Sequence, residues 1–302
     1  ISENIFIILG SQPVNEVRTL IESFSYIKEN IPKWNIYDTT HLMNKYLLED
    51  ILLDTKKLSE CIFEKSEGNP LYLTYIIKTL QSQGITLEII ESLPQYEFNL
   101  NSYYEYLTSL TDNNIVSVVL ACLDFSVTRV ELNQLIPFGF NFESNLKDLS
   151  PVIVENILRG GIRLYHDSFR RFNIEKFKTT ANINEIYGKI AEWLEKQDFY
   201  ENAKSYRHLL RYYIKIKEYE KIKKYASTDF LTKRLYNGYT EKTIKINYDN
   251  FLYVAKETLD WALFIYLSEI NRTIYTTISE NYNSEFLENF ELYFESVGLI
   301  YG

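Results

Sequence analysis

The sequence predicts a mainly α-helical chain with a β-hairpin inside it and one apolar strand at its start. Three observations carry that reading. Apolar residues recur at helical spacing over most of the 302 residues. Helices over Tyr103–Leu110, over Asn113–Leu123 and from Thr128 onward lead into two short β-branched runs, an order of helices and hairpin found in a winged helix. Finally, Asn4-Ile5-Phe6-Ile7-Ile8-Leu9 is a near-continuous apolar run closed by Gly10-Ser11-Gln12-Pro13, the pattern of a strand covered on both faces of a parallel sheet.

No partner for that strand is encoded nearby, and the chain starts at Ile1 rather than Met. The expectation is a piece of a longer protein whose preceding residues complete the sheet. Val17, Leu20, Ile21, Phe24 and Ile27 then follow the i, i+3, i+4 spacing of a helix that stops at Pro32. Helical stretches follow over His41–Tyr46, with Leu42, Tyr46 and Leu47 on one face, and over Thr55–Ser66, with Leu58, Cys61, Ile62 and Lys65 in one stripe. Gly68-Asn69-Pro70 is a tight turn, and Pro70 opens the next helix at a position where its missing N–H costs nothing. Residues 81–100, containing Leu93-Pro94, read as a polar connection.

Beyond them, Thr128 caps a helix with Glu131 at the capping-box position and Leu132, Leu135 and Ile136 facing inward. After a short helical piece at Asn145–Leu149, strands are expected over Val152–Asn156 and Ile162–His166, joined at Arg159-Gly160-Gly161. From Asn184 on, amphipathic helices succeed each other, among them Ile186–Lys196, Ala203–Ile216, Tyr219–Tyr225, Asp260–Thr273 and Glu285–Ser296. The Lys217-Glu218-Tyr219-Glu220-Lys221 turn resembles those of tetratricopeptide-like helical hairpins, and an α-solenoid-like stack is predicted.

A net charge of −9 argues against a nonspecific nucleic-acid or membrane-surface binder, because both need a basic field. The 26 Tyr and 18 Phe read first as a biased coding sequence and second as material for an aromatic-lined surface. Two cysteines, Cys61 and Cys122, sit far apart in apolar patterns, which is neither a disulfide framework nor a zinc site. That cysteine usage makes a reducing cytoplasm the expected location, and the sequence shows no signal peptide and no apolar run of membrane-spanning length.

Few residues carry chemistry. Ser11 and Gln12 stand at the carboxyl end of the first strand, where open α/β sheets place ligand contacts; capping of the following helix is the plainer role. Pro70 can press a flat surface against an aromatic base while Gly68 and Asn69 make the turn, or the three residues serve only a helix–turn–helix. His166, in Tyr165-His166-Asp167-Ser168-Phe169-Arg170, ends a strand where a helix begins. Its imidazole can donate to a phosphate there or be a satisfied core histidine. His41 and His208 read as ordinary helix residues. Of Arg170 and Arg171, one is expected to pair with Glu155 or Asp167 and the other to be solvated.

Val118–Asp124 imitates a Walker B strand but fits a buried helix better, and no Gly-x-x-x-x-Gly-Lys-Ser/Thr loop occurs. By itself the chain is not expected to hold or hydrolyse a triphosphate. No His-Glu-x-x-His, Cys-x-x-Cys or Gly-x-Ser-x-Gly pattern points to a metal or a nucleophile.

Taken in order, the strand ending in Ser11-Gln12-Pro13, the stretch Glu67-Gly68-Asn69-Pro70-Leu71-Tyr72-Leu73, the hairpin-and-helix segment with Tyr165-His166-Asp167-Ser168-Phe169-Arg170, and the helical tail resemble the STAND-class P-loop ATPases related to the AAA+ group. That resemblance implies four parts: residues 1–13 as the end of an NTPase core, 14–98 as a helical lid, 99–178 as a winged-helix domain and 179–302 as a helical-repeat sensor. It assigns γ-phosphate sensing to Ser11 and Gln12, with Gln12 where many members have Arg, which removes a fixed charge. It assigns adenine packing to Pro70 in the Gly68-Asn69-Pro70 turn and the ADP β-phosphate to His166.

The implied cofactor is ATP or ADP, with Mg2+ held by a core upstream of this chain. The implied activity is a switch in prokaryotic, anti-phage signalling. ADP holds the closed state, a protein trigger on the helical repeats releases it, and ATP then permits homo-oligomerisation and activation of an effector domain. Two rivals come from the same residues. A winged-helix transcription regulator would place Thr128–Ile136 on DNA, but that helix carries only Arg129 against Glu131. A helical protein-interaction scaffold explains residues 180–302 and leaves the opening strand without a role.

Overall fold

The computed structural model describes residues 32–47, 55–111, 114–136, 142–156, 161–178, 182–227, 230, 239–270 and 272. They form a mainly α-helical chain with one small two-stranded sheet. The strand expected at Asn4–Leu9, Ser11, Gln12, the helix expected from Val17, Arg159-Gly160 and the helix expected at Glu285–Ser296 lie outside the described residues.

Helix α1 (Ile36–Leu47) begins where the Asn35 side chain accepts from the backbone N–H of Tyr37 and Asp38, while Asp38 accepts in return from Asn35. Its buried stripe is Thr39, Met43 and Leu47, four residues apart. Tyr46, expected on the inner face, is 51% exposed. Counting tyrosine as simply apolar moves the inferred face around the helix, whereas its hydroxyl tolerates the rim. Helix α2 (Thr55–Ser66) buries Leu58 and Ile62 as expected. Lys65 reaches forward to donate to the carbonyls of Glu91 (2.9 Å) and Leu93 (2.7 Å).

Those two carbonyls close a helix that the periodicity missed. Residues 81–100 are not merely a connection, because α4 (Leu87–Ser92) lies within them, capped by the Thr86 side chain on the Ile89 N–H. Six residues with one fully buried side chain, Ile90, are too few to show a period.

Between them, α3 (Pro70–Gln83) is the central helix of this part. It buries Tyr72, Leu73, Tyr75, Ile76, Ile77 and Leu80 around most of its circumference and packs on α1, α2 and α4. Lys78 crosses from α3 to the hairpin, with its ammonium 4.1 Å from the Tyr165 ring centre.

Helix α5 (Asn101–Leu110) precedes α6 (Ile115–Cys122), in which every residue from Val116 to Cys122 is buried. The acid-ended run Val118–Asp124 is therefore a core helix and the turn after it. Helix α7 (Arg129–Leu135) carries both halves of the Thr128/Glu131 capping box, and α8 (Phe142–Asp148) follows.

Strands β1 (Ile153–Asn156) and β2 (Gly161–Leu164) pair antiparallel, Ile153 opposite Leu164 and Asn156 opposite Gly161. The ladder is shorter than expected at its open end, whereas at the turn end Gly161, expected in the turn, already pairs with Asn156. Val152 closes a 3₁₀ turn, and His166 lies beyond the last pair. Val127 pairs with Ile162, and Gly161 is fixed there: with φ of +108°, an added Cβ would stand 2.3 Å from the Val127 oxygen.

Helix α9 (Asp167–Phe177) packs on α6, and the tail continues through α10 (Ile183–Glu195), α11 (Ala203–Lys215), α12 (Tyr219–Lys223), α13 (Glu241–Glu257) and a helix over 261–270. Helix α11 packs on both α10 and α13. Part of the tyrosine excess goes inward: Tyr72, Tyr75, Tyr103, Tyr104, Tyr206, Tyr212 and Tyr213 are fully buried.

One polar junction ties the tail to the middle of the chain. The Tyr212 hydroxyl donates to the Cys122 carbonyl and accepts from the Asp124 N–H, both at 2.9 Å. The Asp124 carboxylate takes Lys215 at 2.7 Å and Arg170 at 3.2 Å, while Arg170 also donates to the Leu123 carbonyl at 2.6 Å.

Candidate functional site

Two helix starts, α3 and α9, open onto one cleft of about 1420 Å³. Pro32, Lys33, Asn69, Pro70 and Leu71 line one side, and His166, Ser168, Arg171, Phe172 and Lys176 line the other. Tyr96 and Phe98 belong with the first group, beside Asn69 and Lys33, and Tyr104 with the second, against Ser168. An open cleft of this size exceeds what a drug-sized ligand needs.

The α3 side is built by its turn. Glu67 and Gly68 take left-handed φ of +48° and +71°, and the Gly68 carbonyl accepts from the Trp34 N–H at 3.0 Å. A Cβ on Gly68 would stand 2.0 Å from the Trp34 oxygen, so no larger residue fits. Asn69 caps α3, its Oδ1 accepting from the Tyr72 N–H at 2.9 Å and its Nδ2 donating to the Tyr96 hydroxyl at 3.0 Å. Pro70 follows at the first helical position and stands half-buried on the cleft wall.

The α9 side is built by His166, the cap of α9. Its Nδ1 accepts from the Ser168 N–H at 3.2 Å and lies 2.7 Å from the Ser168 Oγ, which in turn lies 2.6 Å from the Tyr104 hydroxyl. A backbone N–H can only donate, so the Nδ1 lone pair is engaged and the proton of the neutral ring sits on Nε2. No protein group among the described residues takes that Nε2 proton. Burial, above all other influences, raises the Tyr104 phenol, which keeps it a neutral hydrogen-bond donor.

Charge at the cleft is mixed with a cationic excess: Lys33, Arg171 and Lys176 against Glu105 and Glu175. Arg171 meets Asp167 at 3.3 Å and Lys33 meets Glu67 at 3.1 Å, with every side chain in these pairs well exposed. Exposed pairs of this kind are weak and can yield to an anionic ligand. The N-terminal ends of α3 and α9 add partial positive charge.

The cleft therefore unites Asn69, Pro70 and His166 from two segments far apart in the chain. Gly68 is buried behind the rim, and Ser11 and Gln12 lie outside the described residues. Arg170 does pair with Asp167, at 3.4 Å, and also with Asp124, whereas Glu155 binds Arg129 through both carboxylate oxygens, at 2.8 and 2.7 Å. Sequence reasoning missed Lys33, Tyr96, Phe98, Tyr104, Ser168 and Lys176. Ser168 was within reach as a hydroxyl in the first turn of α9, but nothing local marks the others.

Of the remaining histidines, His41 is exposed on α1. His208 packs against Phe125 with ring centres 4.6 Å apart, and burial drives it down to about 4.

Among the described residues no cluster of His, Cys, Asp and Glu could hold a metal, and no helix is long and apolar enough to cross a membrane. Burial pushes the Cys122 thiol up to about 11, so it is no nucleophile. Three cationic side chains and the His166 imidazole line the cleft, groups able to meet an anion. Compared with known families, curated proteins and solved structures, this chain has no match.

Proposed function

We propose that the cleft binds the diphosphate form of an adenine nucleotide and that this chain is the nucleotide-sensing part of a STAND-class ATPase switch. The observation that carries the reading is that Pro70 and His166 line one cleft although they belong to separate segments. Pro70 and Leu71 supply a flat apolar wall for the base, the free Nε2–H of His166 donates to a phosphate oxygen, and Arg171, Lys176 and Lys33 offset its charge. The bound nucleotide supplies the charge that joins the two walls. In this reading Mg2+ and hydrolysis belong to a core preceding Ile1, and residues 14–98 and 99–178 act as lid and winged helix. The hairpin β1–β2, with Val127 on its second edge, supports the winged-helix assignment.

The same reading makes the helical tail the sensor for a protein trigger. Helix α9 starts at His166 and one turn later carries Arg170. That residue meets the Cys122–Asp124 segment also gripped by Tyr212 and Lys215 of α11. A strain on the tail thus has one helix to cross to reach the cleft. ADP favours the closed arrangement, and a trigger must favour the other for the equilibrium to move.

The regulator alternative is weaker. Arg129, the base available on α7 for a DNA phosphate, is held by both Glu143 and Glu155. Calorimetric titration of the full-length protein with ADP tests the proposal. His166→Ala is expected to bind at least about tenfold more weakly, the loss of one charge-assisted hydrogen bond, and to oligomerise without a trigger. Unchanged affinity, or no binding by the wild type, would overturn it.

A further inference from the structure

We propose that Tyr104 and Ser168 are positioning residues that lock His166 as a donor into the cleft, so that the group it recognises must be a hydrogen-bond acceptor such as a phosphoryl oxygen. The ligand class rests on the nucleotide reading above; the positioning does not. One backbone N–H sets every direction in the chain of contacts. Because Ser168 N–H donates to His166 Nδ1, that nitrogen is unprotonated, and Ser168 Oγ, 2.7 Å away, is the second and closer donor to the same lone pair, which the two share in a three-centre bond. With its proton so used, Oγ accepts from the Tyr104 hydroxyl at 2.6 Å. The relay runs Tyr104 to Ser168 to Nδ1, and it leaves Nε2 with a proton and no protein partner among the described residues.

The Tyr104 ring needs no hydroxyl to pack. It is 1% exposed, with Phe169 and Phe172 at 5.1 and 5.4 Å between ring centres, an environment in which phenylalanine would serve. What the hydroxyl adds is the hold on Ser168. Such chains strengthen each member, and an imidazole tethered at Nδ1 cannot turn that nitrogen toward the cleft.

The test uses the full chain labelled with 15N-histidine, which has only three histidines to assign. In the ligand-free wild type, His166 should show a protonated Nε2 and an unprotonated, hydrogen-bonded Nδ1. Tyr104→Phe and Ser168→Ala should each shift the Nδ1 signal, and Ser168→Thr should restore it. On the full-length protein, Tyr104→Phe should weaken ADP binding about fivefold and should add nothing in a His166→Ala background.

A proton on Nδ1 in the wild type, or Nδ1 signals indifferent to both substitutions, would overturn the positioning. The predicted spectra together with no ADP binding by the wild type would support it while overturning the nucleotide reading.

Discussion

The two helix starts facing the cleft are both capped by a side chain, yet they spend their polar atoms differently. At α3, Asn69 commits its oxygen to Tyr72 and its amide to Tyr96, and Gly68 is clamped against the Trp34 backbone. At α9, His166, which lines the cleft, commits one ring nitrogen and leaves the other without a protein partner among the described residues. The first turn is explained by the fold; the second has a donor left over. A motif can therefore lie in a binding site and contribute only shape, which at the first turn is the placement of Pro70. A residue with an unspent polar atom facing open space is the better candidate for recognition.

The largest expected effect lies on the structural side of that contrast. Gly68→Ala forces a left-handed Cβ into the Trp34 carbonyl and should lower stability by about 3 kcal/mol or more, read as a shift of the urea midpoint. A stability within experimental error of wild type would mean that the turn is not held as described.

His208 gives the next largest effect and a contrast within one residue type. Burial holds its folded value near 4, so between the unfolded value of about 6.5 and 4 the unfolded chain binds the proton first. Stability is full above that window and falls as pH drops through it, by at most about 3 kcal/mol. His208→Phe should flatten that part of the stability profile. An unchanged slope would assign the acid sensitivity to other groups.

Smaller still is Asn69→Ala, which removes a cap and should cost about 1 kcal/mol while leaving ADP affinity within about twofold of wild type, a change below the worth of one hydrogen bond. A large loss of affinity without loss of stability would move Asn69 to the recognition side.

Much of this was legible where the cause is local. Thr128 and Glu131 are three residues apart and satisfy each other, so the capping box is visible in the sequence. Pro70 announces a first helical turn in the same way, and the apolar run through Val118 announces a buried helix. Helix α4 is invisible to periodicity because six residues hold less than two turns of pattern, and at α1 the apolar ring of Tyr46 points the pattern to a face that the helix leaves exposed. Helix α13, 17 residues long, shows little period in the sequence, since its apolar positions are interrupted by Asn247 and Asn250. Asn247 is buried and donates to the Tyr206 carbonyl at 2.7 Å.

In the cleft, the lone histidine and the proline were readable as candidates, but the relay was not. Tyr104 and Ser168 stand 64 positions apart, and periodicity reports which face is apolar, not which residue on another element completes a hydrogen bond.

The central claim is that the leftover donor of His166 serves a ligand and not the fold, and His166→Ser separates the two. Serine is a strong helix cap but too short to reach across the cleft. ADP titration and thermal unfolding of this variant should show affinity down about tenfold with the melting temperature held at or above that of wild type. Full affinity in a folded His166→Ser protein would contradict the account.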